Sequence, residues 1–447
     1  MKTTILPYIN HYNKKMILAG SLMLTALPAF ASQTNVEPSQ QSPIEIERTP
    51  MFISLGFDDN VTEDGLSWVV NMLASYNNPQ GHDSYAGKPL TASFFVNCAT
   101  ARGNESITNL WKLMKYKSHE IGNHSESHPN DGAGTMTAEQ WNNEIETCNR
   151  FLTASEQDGG IGVEKVYGYR APFLTYNDNV LTALVNNGIN YDVSFPAGIS
   201  GDQNGINNLW PYTLDNGSPD HNAAVNGGWK PAINNYPGLW EIPLHTLIVP
   251  PNDVINDYGL TYSLRDKIAS RVPWFDTQSG KGDNFDWNLY STPTYFAAGL
   301  NANDVLAIYK YNLDLRLAGN KAPLVLGLHS DFYGYLNGEE HGDKPETTVE
   351  SRRSVLTQFI AYALSIPEVR FVNHKQLIDW MVTPEPLTLC ADKQWQPHDT
   401  YQKGDTVLFS EKTYVAKWWT SHQIPALYQN SPWQEVKYCT PQNSNTR

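Results

Sequence analysis

Between residues 50 and 382, short apolar segments alternate with longer amphipathic stretches, and this alternation limits the possible folds more than any other feature. The predicted strands are 51–57, 91–97, 119–123, 165–169, 190–195, 239–248, 323–329 and 369–373. The predicted helices are 64–75, 107–117, 137–153, 178–187, 302–317, 347–365 and 374–382. Such alternation is typical of parallel β/α units, so we expect an α/β domain built as a barrel or a doubly wound sheet.

The chain divides into segments of different composition. Residues 196–238 and 250–298 are rich in Gly, Asn and Pro, and we interpret them as long loops over a functional site rather than as domains. A Pro-punctuated linker, 383–387, precedes a module at 388–440, and 441–447 is a polar tail. A module this small cannot bury a large core, so a disulfide is expected to help stabilise it.

The N-terminus resembles a secretory signal peptide over residues 1–31. Lys14 and Lys15 precede an apolar run, and Ala29-Phe30-Ala31 supplies small residues for cleavage. Met16 is an alternative initiator, because the polar stretch before it is unusually long. We therefore expect a secreted, extracellular or periplasmic protein with a flexible leader at 32–49.

Charge and aromatic content narrow the choice of partners. The formal net charge is −15 and becomes −18 once Lys2, Lys14 and Lys15 are removed with the signal. This balance excludes nucleic acid and anionic membranes as expected partners. Charged residues make up only 17% of the chain, which carries 13 Trp and 24 Tyr. Aromatic side chains suit sugars, although most are expected in the core.

The four cysteines, Cys98, Cys148, Cys390 and Cys439, are an even number in a chain expected to be exported. They predict two disulfides, for which three pairings are possible. Pairing within domains would join Cys98 to Cys148 and Cys390 to Cys439. Because no C-x-x-C spacing occurs, a cysteine metal site is not expected.

Two adjacent carboxylates, Asp58 and Asp59, follow the apolar run 51–55 at the end of a predicted buried strand. Buried neighbouring carboxylates repel each other, so such a pair is typical of a cation site or of proton transfer. Later in the chain, His124 and His128 are four residues apart, and a first helical turn would place both imidazoles on one side. One of the two aspartates together with these histidines would form a metal site, leaving the other aspartate as the base for its water.

Four motifs occur in order, and each lies at a predicted strand end. They are Phe57-Asp58-Asp59, His124-Ser-Glu-Ser-His128, Tyr169-Arg170-Ala171-Pro172-Phe173 and Leu326-Gly-Leu-His329-Ser330-Asp331. The ordered set resembles the polysaccharide deacetylase family of metal-dependent carbohydrate esterases over residues 50–382. The resemblance implies a distorted (β/α) barrel, with the motif residues at the carboxyl ends of its strands.

The same resemblance implies a role for each motif residue. Asp58 would be the general base, and Asp59, His124 and His128 would be the metal ligands. Arg170 would orient Asp58, the backbone N–H of Phe173 would bind the oxyanion, and His329 would be the general acid. Each of these residues also has a structural alternative. The aspartates could form a helix N-cap, and His124 and His128 could be polar residues of a loop or helix start. Arg170 could form a surface ion pair, and His329 could be an ordinary histidine at a strand end.

Two departures from the family pattern concern residues beyond the metal site. Phe173 stands where Tyr is usual, which a backbone role tolerates. The family's fourth motif, Asp-x-x-Asp-Trp, is poorly matched by Tyr191-Asp192-Val-Ser-Phe195, so Asp192 either supports His329 or caps a strand. Trp240 either forms the floor of an acetyl pocket or belongs to the core.

The C-terminal segment contains the sequences Tyr401-Gln-Lys-Gly404-Asp405-Thr-Val407 and Tyr414-Val-Ala-Lys-Trp418-Trp419-Thr420. With these motifs it resembles the small chitin-binding modules of bacterial chitinases. Strands are predicted at 406–409 and 414–419, the latter ending in Trp418-Trp419. Adjacent side chains of a strand point to opposite faces, so at least one Trp would be exposed, and both are predicted to bind chitin. Trp395, Tyr401 and Trp433 are predicted core residues.

Together these features predict a secreted N-deacetylase that uses Zn²⁺, or Co²⁺, Ni²⁺ or Mn²⁺, and acts as a monomer on chitin oligosaccharides and chitin. Three loops, 196–238, 250–298 and 331–344, would narrow the groove to a pocket for short oligomers. Trp210, Trp240 and Trp287 are candidates for ring stacking in that pocket. The alternatives are a peptidoglycan or xylan deacetylase and a catalytically silent chitin-binding protein.

Overall fold

The computed structural model describes residues 35–81, 83–340, 342–387, 393–410, 412–425 and 430–436. The strands are, in chain order, β1 (Met51–Asp58), β2 (Ser93–Val96), β3 (Glu120–Asn123), β4 (Gly168–Tyr169), β5 (Tyr191–Asp192), β6 (Pro196–Ala197), β7 (Tyr212–Leu214), β8 (Tyr236–Glu241), β9 (Leu244–His245), β10 (Leu247–Ile248), β11 (Lys281–Gly282), β12 (Leu324–His329), β13 (Tyr335–Leu336), β14 (Glu339–Glu340), β15 (Val369–Phe371), β16 (Thr400–Tyr401), β17 (Thr406–Phe409), β18 (Lys412–Ala416), β19 (Thr420–Ser421) and β20 (Trp433–Glu435). The α-helices are α1 (Glu63–Ala74), α2 (Cys98–Ala101), α3 (Glu105–Tyr116), α4 (Ala138–Thr153), α5 (Asp178–Asn186), α6 (Pro219–Asn226), α7 (Leu264–Ala269), α8 (Asp286–Tyr290), α9 (Ala302–Ala318), α10 (Val349–Leu364) and α11 (His374–Val382).

The main sheet has the order β12-β1-β2-β3-β4-β5-β8-β7, and β15 also pairs with β1. Its pairings are parallel except for the antiparallel edge pair of β7 and β8. All eight residues of β1 are buried, as expected for an apolar strand covered on both faces. This curved sheet with flanking helices confirms the predicted α/β fold as a distorted (β/α) barrel, left open between β7 and β12.

Parallel pairing places the functional motifs at one edge of the sheet. Asp58 ends β1, His124 follows β3, Arg170 follows β4 and His329 ends β12. The carboxyl ends of parallel strands meet at one face, so residues far apart in sequence become neighbours there.

The two stretches predicted as loops carry regular structure of their own. Residues 196–238 include β6, β7 and α6, while 250–298 include α7, β11 and α8. These elements are short, and their Gly- and Asn-rich sequences lack the apolar periodicity from which longer helices and strands are predicted. The stretches interpreted as long loops therefore contain short helices and strands that were not predicted.

The predicted leader and the predicted linker form hydrogen bonds with the barrel where the structure describes them. Within the predicted leader, the Ser39 carbonyl accepts from Trp210 N–H at 2.8 Å and the Val36 carbonyl from Thr213 N–H at 2.9 Å. In the predicted linker, a Glu385 carboxylate oxygen accepts from Ser84 N–H at 2.9 Å. The predicted signal peptide, 1–31, and the tail, 441–447, lie outside the described residues.

A disulfide joins Cys98 to Cys148, confirming the predicted pairing within the barrel. It connects α2 to α4 beside the loop that carries His124. Cys390 and Cys439 lie outside the described residues, so their pairing stays a prediction.

The described part of the C-terminal segment is all-β, as predicted. Strands β17, β18 and β20 form one antiparallel sheet, and β16 pairs with β19. Tyr401, Tyr414 and Trp433 are buried in its small core, with Trp395 packed against them. The core assignment of Tyr401 and Trp433 is thus confirmed, whereas Trp395 is half-buried at the edge of this core. In the described part of the chain, no helix has both the length and the apolar character needed to cross a membrane.

Candidate metal centre and active site

Asp59, His124 and His128 converge at the carboxyl edge of the sheet. One ligand atom from each residue lies within 4.8 Å of the others. The Nε2 atom of His128 is 3.5 Å from Asp59 Oδ1, and that of His124 is 3.9 Å from it. Two imidazole nitrogens and one carboxylate oxygen form a donor set that suits a divalent transition metal.

The histidines reach this position from a loop, not from the helical turn that we predicted. Residues 124–128 are irregular backbone after β3, and both Ser125 (φ 68°) and His128 (φ 54°) have left-handed conformations. The Ser125 hydroxyl accepts from His128 N–H at 3.0 Å and stabilises this bend. The two imidazole centroids are consequently only 4.8 Å apart.

Hydrogen bonds orient the ligands toward a common point. His124 Nδ1 lies 2.7 Å from the Arg170 carbonyl, a bond that makes Nδ1 the donor and leaves Nε2 free to bind metal. The Asn97 amide donates to Asp59 Oδ1 at 2.8 Å. Burial alone would raise the pKa of Asp59, but the surrounding imidazoles, His124 first, outweigh burial and its pKa is lowered. Burial, together with the charge of His124, lowers the pKa of His128, which favours the neutral, ligating form.

Asp58 is held by Arg170 in the interior of the barrel. The Arg170 guanidinium is fully buried, and its Nη1 donates to Asp58 Oδ1 at 2.9 Å. Its Nε donates to the Val193 carbonyl at 3.2 Å, and the rings of Phe95 and Phe285 flank it. Gly56 makes room for this group, because a Cβ there would lie 2.8 Å from Arg170 Nη2. The fit supports Arg170 as the group that orients Asp58.

The turn Pro172–Leu174 begins directly after Arg170-Ala171 and borders the metal ligands. Phe173 has φ 55° and Leu174 has φ 52°, so two successive non-glycine residues are left-handed. Conformations of this kind cost on the order of 1–3 kcal/mol each and persist only when surrounding contacts enforce them. The Phe173 ring is 60% exposed and its centroid is 4.8 Å from that of His128. Phe173 therefore lies at the rim of the candidate site.

His329 is paired with a carboxylate that we had not predicted. Asp286 accepts from His329 Nδ1 at 2.7 Å and from its backbone N–H at 2.8 Å. Burial would lower the pKa of His329, but the Asp286 charge and hydrogen bond raise it to about 9. In the register of β1 with β12, His329 is the partner of Asp58, so the two face the same space.

Asp192 does not support His329, and this alternative from the sequence was wrong. Its carboxylate accepts from the Ser194 hydroxyl at 2.7 Å and from the Ser194 N–H at 3.2 Å. Across the strand pair it neighbours Glu241, another buried carboxyl group. Burial raises the pKa of Asp192 to about 6. It caps the end of β5, the other alternative.

The residue that supports His329 was detectable in the sequence. Asp283-Asn284-Phe285-Asp286-Trp287 has the Asp-x-x-Asp-Trp spacing that the resemblance leads one to expect. We overlooked it because it lies inside a stretch interpreted as an irregular loop. In the structure Asp286 begins α8, so the motif marks the start of a helix.

The three tryptophans predicted to stack on sugar rings differ in their exposure to solvent. Trp240 and Trp210 are 6% and 1% exposed and belong to a core cluster with Tyr191 and Trp380, so the core alternative holds for both. Trp287 is 41% exposed and immediately follows Asp286. Of these three tryptophans, Trp287 is the one available to a ligand beside the site.

In the C-terminal module, Trp418 and Trp419 are 48% and 57% exposed. The predicted strand to residue 419 was wrong, because β18 ends at Ala416 and both tryptophans lie in the bend that follows. The alternation of strand faces therefore does not apply, and both rings are open to solvent.

Comparison with known proteins agrees with this organisation. Residues 47–191 match the family model described as polysaccharide deacetylase, and residues 394–434 match carbohydrate-binding module family 5/12. The chain therefore carries a polysaccharide deacetylase domain and a C-terminal carbohydrate-binding module. The first match includes the three candidate metal ligands, Asp58 and Arg170, but ends before Asp286 and His329.

Solved structures resemble the chain at low identity. A Mycobacterium smegmatis protein assigned to the polysaccharide deacetylases is 16% identical, with 80% of this chain and 100% of that chain covered and a TM-score of 0.46. The Xyl-CE4 domain of a multidomain xylanase from the hindgut metagenome of Trinervitermes trinervoides is 13% identical, covering 78% and 97%, with a TM-score of 0.34. A family 4 acetyl xylan esterase from Clostridium thermocellum in complex with cobalt is 15% identical, covering 74% and 93%, with a TM-score of 0.32. A search of curated proteins gives no match.

Proposed function

We propose that this protein is a secreted, metal-dependent N-deacetylase that hydrolyses the acetamide of N-acetylglucosamine units in chitin oligosaccharides and releases acetate. The observation that carries the proposal is the convergence of the Asp59, His124 and His128 cluster with Asp58 and His329 at one sheet edge. Hydrolysis of an amide needs an activated water, stabilisation of an oxyanion and a proton for the departing amine. The site offers a group for each requirement.

The metal would be held by Asp59, His124 and His128. The donor set fits, because the His124 Nδ1 bond to a carbonyl leaves Nε2 to face Asp59 and His128. A divalent ion there would polarise the attacking water and the acetyl carbonyl. Zn²⁺ is the proposed ion, with Co²⁺, Ni²⁺ or Mn²⁺ able to replace it.

The residues around this cluster would divide the proton transfers. Asp58, held by the hydrogen bond from the Arg170 guanidinium, would accept the proton of the attacking water. The backbone N–H of Phe173 would donate to the oxyanion that forms on the acetyl oxygen. His329, protonated through its contact with Asp286, would donate a proton to the departing amine. Asp192 would act only on the local structure.

The choice of chitin over other acetylated polymers rests on the C-terminal module. Two adjacent exposed tryptophans, Trp418 and Trp419, are suited to stack on pyranose rings, and the module resembles those of bacterial chitinases. A xylan or peptidoglycan deacetylase is the second candidate, because the barrel alone does not distinguish these acetyl groups. A silent chitin-binding protein is disfavoured, since the base, ligands and acid are all present.

The preference for short oligomers is the finer part of the proposal. The elements inserted at 196–238 and 250–298, with Trp287 exposed beside Asp286, would form the walls of a pocket. The proposed domains are a signal at 1–31, a catalytic barrel at 50–382 and a chitin-binding module at 388–440. We propose that the mature protein acts as a monomer outside the cytoplasm.

Incubation of the purified protein with defined chitin oligomers tests this proposal. Mass spectrometry should show the loss of one acetyl group from a set position on dimers to tetramers, and Asp58→Asn protein should show none. Matched assays on acetylated xylan and peptidoglycan fragments decide between the candidates. Release of acetate from xylan alone would overturn the chitin assignment, and multiple deacetylation along hexamers would replace the pocket with an open groove.

A further inference from the structure

The left-handed turn at Phe173 and Leu174 is enforced by contacts from a distant part of the chain. Within the turn, the Pro172 carbonyl accepts from the Thr175 N–H at 3.0 Å and hydroxyl at 2.8 Å. These local bonds close the turn but leave the Leu174 carbonyl to another partner. That partner is Lys230, whose Nζ donates to the Leu174 carbonyl at 2.6 Å.

Aromatic side chains packed around Lys230 position it for this contact. Its Nζ lies 4.5 Å above the ring of Tyr176, which is stacked on Phe195 at 4.0 Å. The Tyr176 hydroxyl lies 2.9 Å from Nδ1 of His221 on α6, the helix that precedes Lys230. Burial lowers the pKa of Lys230 to about 8, an effect that Asp192 opposes. A lysine carried on an irregular loop is thus kept away from water, against a carbonyl.

We propose that Lys230 is a positioning residue that holds the Phe173–Leu174 turn, so that the Phe173 N–H meets the oxyanion formed during deacetylation. This inference rests on the proposed function, because the oxyanion role of Phe173 belongs to it. Lys230 acts through the backbone of its neighbours and does not touch the reacting atoms.

The loop that carries Lys230 is also held by other hydrogen bonds. A substitution of Lys230 can therefore change the Phe173–Leu174 turn without unfolding the loop. Asn234 donates to the Asp178 carboxylate through both its backbone N–H, at 2.7 Å, and its amide, at 2.9 Å. The Tyr236 hydroxyl donates to the same carboxylate at 2.7 Å. Loss of the Lys230 contact should therefore release the turn while the loop stays attached.

Two substitutions test the proposal. Lys230→Met keeps the aliphatic stem but removes the donor, whereas Lys230→Arg retains a cation that can donate and stack on Tyr176. The matched control is Lys115→Met, which removes a lysine bond to the Ile161 carbonyl, at 2.9 Å, in another part of the fold. All three proteins are compared with the unchanged protein at equal metal content and with thermal unfolding recorded.

We expect Lys230→Met to lower kcat about 10- to 100-fold with KM within about twofold, as small misplacements near reacting atoms do. The loss should be similar for an acetylated chitin dimer and for an aryl acetate, because an oxyanion forms in both. Loss of a leaving-group acid would instead affect the amide more strongly. Lys230→Arg should regain activity to within about threefold, and Lys115→Met should not change it.

A measurement that does not depend on enzymatic activity tests the role of Lys230 separately from the proposed deacetylase function. Chymotrypsin cleavage after Phe173, identified by mass, should become at least about fivefold faster in Lys230→Met and stay unchanged in Lys115→Met, because opening of the turn limits cleavage. Unchanged cleavage and unchanged kcat would overturn the positioning role. A faster cleavage with no activity on any acetylated sugar would retain the turn contact but refute the proposed function.

Discussion

Replacing Asp286 with Asn tests whether His329 acts as a protonated acid. Asp286 is the largest influence that raises the pKa of His329 from 6.5 to about 9, against the opposing effect of burial. Without that charge we expect the pKa to return to about 6.5 or below. The protonated fraction of His329 at pH 8 would then fall from about 0.9 to about 0.03, a loss of about 30-fold, but only about fourfold at pH 7.

The sign of the pH dependence makes this prediction specific. A histidine that must be protonated loses activity as the pH rises through its pKa. The descending limb of kcat/KM, which reports the free enzyme, should therefore move from near pH 9 to near pH 6.5 in Asp286→Asn. Below the new limb the variant should regain much of its activity, provided that Asn retains one of the two hydrogen bonds.

The assay is acetate release from a chitin dimer between about pH 6 and pH 9.5, with metal content measured at each pH. Asp192→Asn is the matched control, because it removes a buried carboxylate that has no contact with His329. An unmoved limb in Asp286→Asn, or an equal loss at every pH, would refute the reasoning. A moved limb in Asp192→Asn instead would restore that residue as the support of His329.

Three further predictions concern the base, the packing behind it and the module. Asp58→Asn should retain metal and lose nearly all kcat, whereas Asp59→Asn should lose metal itself, and metal analysis with the opposite result would exchange these roles. Gly56→Ala should lower kcat at least about tenfold and destabilise the fold by about 1–3 kcal/mol, since its Cβ would lie 2.8 Å from the guanidinium that holds Asp58. Kinetics and denaturant unfolding measure both effects, and unchanged kcat would contradict them. Joint replacement of Trp418 and Trp419 by Ala should abolish binding to insoluble chitin while turnover of dimers stays within about twofold, and impaired dimer turnover would implicate the module in the active site.

The fold was largely predictable because the strong signals were local. The apolar run of β1 and the amphipathic helices between strands define parallel units without any knowledge of contacts, and the limits of the predicted helices lie within two residues of those observed. The strand predicted at 239–248 was wrong, because this stretch is divided into β8, β9 and β10. The inserted elements, such as α8 with five residues, were not predictable because their stability depends on packing against the barrel. A hydrophobic period can be recognised only over more residues than these short elements contain.

The candidate site also contains residues that local motifs predict and a residue whose role depends on a contact distant in sequence. Asp58, Asp59 and the two histidines belong to compact motifs, so the ordered set of motifs in the sequence was enough to predict them as site residues. The partner of His329 could not be found by nearness in sequence, because Asp286 lies 43 residues away. The helical turn predicted for His124 and His128 failed because positive φ angles and a serine hydroxyl bond gave a tighter bend than spacing suggests.

The register of two parallel strands brings the proposed base and the proposed acid next to each other. Asp58 and His329 are partners across β1 and β12, which places their backbones about 5 Å apart. Each of the two side chains is paired with a group of opposite charge, Asp58 with the Arg170 guanidinium and His329 with the Asp286 carboxylate. Asp286 raises the pKa of His329 to about 9 and so favours its protonated, proton-donating form, while Arg170 orients the carboxylate of the proposed base. A shift of β12 by one residue would turn His329 to the other face of the sheet, so the proposed catalytic arrangement depends on the pairing of strands as well as on the choice of residues.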